Sequence, residues 1–76
     1  MKIIGSRSYI IVDYDHRNIK IIGELTTTPI FYADIASIKK WEPPFDNIEV
    51  TEKGKVNIIQ RITDETKNKE LKIIFD

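Results

Sequence analysis

From Ser8 the chain reads Ser-Tyr-Ile-Ile-Val-Asp-Tyr, an apolar run of Tyr9 to Val12 closed by Asp13 and Tyr14. A few residues on, Ile19-Lys20-Ile21-Ile22-Gly23-Glu24-Leu25 alternates, with Ile19, Ile21 and Leu25 on one side and Lys20 and Glu24 on the other. Period-two patterning of this kind predicts strands at 8–14 and 19–25. Asp15-His16-Arg17-Asn18 between them predicts a four-residue hairpin connection, because aspartate and asparagine bond their own backbone and asparagine tolerates a positive φ. Thr26-Thr27-Thr28-Pro29 breaks the ladder, Ile30 to Ala33 resumes it, and Asp34 to Ser37 has turn chemistry. Ile35, Ile38 and Trp41 stand three apart, but Pro43 and Pro44 stop any helix, so a strand is expected from Ser37 to Glu42.

The period changes after Thr51, a good N-cap followed by Glu52 in the first turn, where a carboxylate suits the helix dipole. Val56, Ile59 and Ile62 then recur at spacing three with Ile58 at the margin, and Arg61 and Glu65 are placed to pair on the wet face. Gly54 weakens this helix by roughly 1 kcal/mol relative to alanine. A last strand follows, with Leu71, Ile73 and Phe75 sharing a face. The expected fold is α+β, a small antiparallel sheet of about four to six strands with one helix near the C-terminus packed on it.

Composition narrows the picture. Seventy-six residues make a single domain, 1–76, which buries only about 60–65% of the surface its unfolded chain exposes. With 41% hydrophobic and 32% charged residues and no net charge, the chain has the balance of a folded globule rather than a disordered one. Sixteen isoleucines against two leucines and two alanines favour strands, since branched side chains are stiff at their first torsion. The start, MKIIGSRSY, holds too short an apolar run for a signal peptide, and no stretch approaches the ~20 residues of a membrane helix. A cytoplasmic location is expected. There is no cysteine, hence neither a disulfide nor a thiolate ligand or nucleophile.

Catalytic chemistry finds little to work with. The only histidine, His16, falls in the hairpin turn, away from any serine nucleophile pattern. Asp13, Asp15 and His16 can be drawn as metal ligands, but no second ligand cluster exists, and turn chemistry accounts for them better. Glu42 and Asp46 in an exposed loop would both ionise, leaving no acid and base of different pKa. The glycines stand isolated at 5, 23 and 54, so no phosphate cradle is present. No enzyme activity, cofactor or metal is expected. An RNA-binding β domain is the alternative, with Tyr9, Tyr14, Phe31 and Tyr32 as stacking candidates, but every base is matched by an acid and the attraction to phosphate is small.

The charge is unevenly spread. Segments 1–40 and 53–76 each carry six bases and four acids, whereas 41–52 carries Glu42, Asp46, Glu49 and Glu52 and no base. That segment repels phosphate and suits a basic protein. The order of strand, hairpin and strand, then FYADIASIKKWEPPFDN, an isoleucine-bearing helix and a short strand, resembles the small immunity proteins of bacterial polymorphic toxin and contact-dependent inhibition systems, specifically immunity family seventy-four. Its most specific parts are Ser37-Ile38, Trp41-Glu42-Pro43-Pro44 and Ile58-Ile59. The resemblance implies a protein that binds a cognate toxin's C-terminal effector domain, often a nuclease, and neutralises it by stoichiometric occlusion. The expected docking residues are Glu42 and Asp46, helped by Asp13 and Asp15, with Trp41 as a support at least half buried.

Overall fold

The computed structural model describes every residue from Met1 to Asp76. Five strands, β1 (Lys2–Gly5), β2 (Tyr9–Tyr14), β3 (Arg17–Leu25), β4 (Ile30–Ala33) and β5 (Lys72–Phe75), form one sheet in sequence order, and a single helix, α1 (Glu52–Thr66), precedes β5. The α+β class and the strand count are those expected. The pairs β1–β2, β2–β3 and β3–β4 are antiparallel, but β4–β5 is parallel, so the sheet is mixed and not antiparallel throughout as expected. A parallel neighbour needs a long crossover, and the segment carrying α1 supplies it.

The β2–β3 hairpin is tighter than its sequence suggests. Asp15 and His16 form a two-residue turn with φ of 52° and 66°, so β3 begins at Arg17, which pairs with Tyr14. Two positive φ values in succession match the twist of the flanking strands, and aspartate and histidine are among the residues that enter this region most readily. β1 had no signal of its own beyond Ile3 and Ile4; it is held by its register against β2, with Ile3 opposite Val12 and Ile4 opposite Ile11.

The strand expected over Ser37–Glu42 does not form. Ile35–Ser37 make a 3-10 turn instead, and the only pairing beyond it is an isolated bridge between Lys40 and Glu49. Local polar groups win here: the Asp34 carboxylate accepts the Ala36 N–H at 3.0 Å, and the Ser37 hydroxyl donates to the Asp34 carbonyl at 2.7 Å. The same hydroxyl oxygen accepts the Ile22 N–H at 2.9 Å, tying the turn to β3.

One face of the sheet carries the core. Ile10 and Val12, Ile19 and Ile21, Phe31 and Ala33, and Ile73 point from β2, β3, β4 and β5 towards Ile58 and Ile62 of α1, with Ile38 and Trp41 completing an entirely apolar cluster. The helix meets this face through Ile58 and Ile62, four apart and both fully buried, with Ile59 flanking; Val56 is 63% exposed. The seam therefore lies about one position away from the Val56, Ile59 and Ile62 line, because a period of 3.6 brings residues four apart as close as residues three apart. Thr51 caps α1 as expected, its hydroxyl oxygen accepting the Gly54 N–H at 2.9 Å, and Arg61 lies 3.7 Å from Glu65.

Candidate functional site

The acidic segment is a closed loop. At its stem Lys40 bridges Glu49 and the Val50 N–H donates to the Lys39 carbonyl at 2.8 Å; inside it the Phe45 N–H donates to Glu42 and the Ile48 N–H to Phe45, each at 3.0 Å. The Pro43-Pro44 peptide bond is cis. Compact loops with joined ends hold their shape through such internal bonds and display side chains outward.

Three contacts dock this loop against the β2–β3 hairpin. The Glu42 N–H donates to the Asn18 carbonyl at 2.8 Å. The rings of Trp41 and Tyr14 stack with centroids 6.2 Å apart. The Arg17 guanidinium lies over both Trp41, at 5.6 Å, and Phe45, at 5.0 Å. A planar cation suits aromatic faces, and two rings at once fix its plane while leaving its N–H edge free. Trp41 is only 7% exposed, so its ring is buried at least as far as expected.

Of the expected docking residues, the fold brings the Asp15 turn next to the loop that bears Glu42 and Asp46. Asp15 and Asp46 are exposed and Glu42 is half-buried. Asp13 goes elsewhere: strand alternation turns it to the opposite face of the sheet from Trp41, where it lies across from Lys2 and Asn18. None of these four carboxylates has a cationic nitrogen within salt-bridge distance, since the ion pairs of the chain are Lys55 with Glu52 and Arg61 with Glu65. The end of the molecule formed by the loop and the turn thus presents free carboxylates around one held guanidinium.

Arg17 and Phe45 are the members of this cluster that sequence reading missed. Arg17 falls in the stretch that the sequence predicts as a turn, and no sequence feature singles out Phe45. The available signal was a lone base flanked by Tyr14 and two apolar strands, which pairs with a distant aromatic segment only once the hairpin register is known.

Other chemistries gain no assembled site. Asp13, Asp15 and His16 are not gathered into a group that could hold a metal ion. The aromatic residues do not form one platform: Phe31 is buried, Tyr14 stacks on Trp41, and Lys20 covers the ring of Tyr9 at 4.5 Å. No helix is long and apolar enough to cross a membrane. Comparison with curated proteins and with solved structures finds no match. The protein family described as Immunity protein 74, in contrast, matches residues 2–76, which takes in the sheet, the acidic loop and the helix together. The chain belongs to the Immunity protein 74 family.

Proposed function

We propose that this chain binds the C-terminal effector domain of a cognate toxin, most simply a nuclease, in the cytoplasm of the cell that makes it, and neutralises it by stoichiometric occlusion without catalysis of its own. The observation that carries this reading is the docked acidic end. Glu42, Asp46 and Asp15 stand unpaired on a loop and a turn that are locked together by the Glu42 to Asn18 hydrogen bond and by Arg17 between Trp41 and Phe45. Asp13, on the opposite face of the sheet, stands apart from this surface. A nuclease holds phosphates and is therefore basic at its active site, so a rigid carboxylate surface competes for that site and accelerates encounter. Rigidity matters because side chains already fixed lose less freedom on binding.

Co-expression with the toxin domain encoded next to this chain tests the proposal. Survival of the host and co-purification of the two chains in equal amounts are expected. Continued toxicity with both proteins folded and present would refute it, as would hydrolysis by the pure chain that vanished on changing Asp13, Asp15 or His16.

A further inference from the structure

The face of the sheet turned away from α1 has no partner within the chain. Strand alternation directs Ile4 of β1, Tyr9 and Ile11 of β2, Ile22 of β3, Tyr32 of β4 and Ile74 of β5 outward. The register makes them neighbours, with Ile4 opposite Ile11, Tyr9 opposite Ile22 and Tyr32 opposite Ile74. Ile4 is 54% exposed, Ile22 45%, Ile74 44% and Tyr32 39%. Single exposed apolar residues are ordinary, but a set that crosses all the strands of a sheet marks a surface that something covers.

We infer that a second copy of this chain covers it, the two open faces meeting about a two-fold axis to give an order of layers helix, sheet, sheet, helix. Charge decides against the basic partner that suits the acidic end. Lys2, Lys20 and Lys72 project from this face beside Asp13 and Glu24, so a strongly cationic surface would meet three lysines there. A second copy brings its own Asp13 and Glu24 against those lysines, so the face, with three bases and two acids, meets less opposition from itself than from a strongly cationic surface. RNA is disfavoured by the Lys20 ammonium, which already occupies the ring face of Tyr9.

Size agrees. The strands hold 4, 6, 9, 4 and 4 residues, and at roughly 3.3 Å per residue and about 4.8 Å between strands they outline ~430 Å². A standard interface takes ~800 Å² from each partner and smaller ones belong to weak, transient association, so this face with its rim suits a weak reversible dimer. Faces of this kind pack about 10 Å apart, and a two-fold contact is self-complementary by construction. The acidic loop lies on the other side of the sheet with Trp41, so each copy keeps its own acidic end open.

The choice of a second copy over the toxin rests on the proposal that the toxin is basic, but its test needs the purified chain alone. Sedimentation equilibrium from micromolar to millimolar concentration is expected to show reversible approach to twice the chain mass. Ile22→Lys and Ile74→Lys, made separately, should each weaken the dimer by about tenfold or more, as central contacts do. In the same samples, the dependence of wild-type amide shifts on concentration should map to the outward positions of the strands, a readout that survives even if a variant fails to fold. A chain that stays monomeric throughout overturns the inference. So does a dimer that neither variant weakens, or shifts confined to the acidic loop, or an open face that becomes protected only when toxin or RNA is added.

Discussion

Gly23 has the least room of the chain's three glycines for a side chain, and replacing it tests the packing of the inner face. A Cβ built there would lie 2.3 Å from the Tyr32 carbonyl oxygen and 2.5 and 2.7 Å from two carbons of the Phe31 ring. Gly23 does not have a positive φ, so the glycine is needed for close approach and not for an unusual backbone. Ordinary contacts between such atoms are nearly 1 Å longer, and neither neighbour yields easily: the carbonyl belongs to β4, and Phe31 is only 1% exposed. Overpacking of this sort costs ~1–3 kcal/mol, occasionally more. Opposing it, alanine lowers the entropy of the unfolded chain by an amount worth ~0.4–1 kcal/mol. With a backbone oxygen and a fully buried ring both in the way, the upper part of the range applies, and Gly23→Ala is expected to destabilise by about 2 kcal/mol net. For a domain of this size each kcal/mol moves the melting temperature by roughly 4–8 °C, which gives a fall of about 8–16 °C. Thermal denaturation followed by circular dichroism measures it. Because part of the clash is with the ring, adding Phe31→Leu should recover part of the loss, and the two substitutions should couple in a double-mutant cycle. A Gly23→Ala variant that melts with the wild type, or two substitutions whose effects simply add, would show that Phe31 does not lie across Gly23.

Two further predictions concern the helix. Ile62→Ala should cost ~2–5 kcal/mol by opening a cavity in the core, whereas Val56→Ala, at a position 63% exposed, should change stability by less than about 0.5 kcal/mol; equal effects in urea denaturation would place the seam of α1 elsewhere. Thr51→Ala should cost about 1 kcal/mol by leaving the Gly54 N–H without its acceptor, measured in the same way, and an unchanged midpoint would mean that the cap is not used.

What could be read in the sequence was whatever is decided within a few residues. The strands on either side of Asp15-His16, the Thr51 cap, the Arg61 and Glu65 pair and the polar turn after Asp34 all follow from local chemistry. The strand expected over Ser37–Glu42 failed where two local signals competed, and side chain to backbone hydrogen bonding at Asp34 and Ser37 prevailed over apolar spacing. β1 and the parallel pairing of β5 with β4 depend on partners far along the chain, so four-residue segments such as Lys2–Gly5 carry almost no periodic signal. The candidate site divides in the same way. The concentration of acids around Glu42 and Asp46 is visible in one dimension, and so is the burial of Trp41, the chain's single tryptophan. That Arg17 would lie between Trp41 and Phe45, and that Asp13 would face away from them, follows only from the hairpin register and from the Glu42 to Asn18 hydrogen bond.

A basic partner received at the acidic end would show itself in the kinetics of binding to the cognate toxin domain. Glu42→Lys and Asp46→Lys would each be measured at low and at high salt beside the wild type, with melting temperature as the control for folding. Carboxylates at the rim of an interface act mainly on the association rate, and a desolvated pair at its centre loses ~2–5 kcal/mol, chiefly through dissociation, when one partner is removed. Each variant is expected to associate more slowly, with an association rate that depends less on salt than that of the wild type, and to change stability by no more than about 0.5 kcal/mol. Association and dissociation rates equal to those of the wild type at both salt concentrations, in variants that remain folded, would contradict docking at the acidic end.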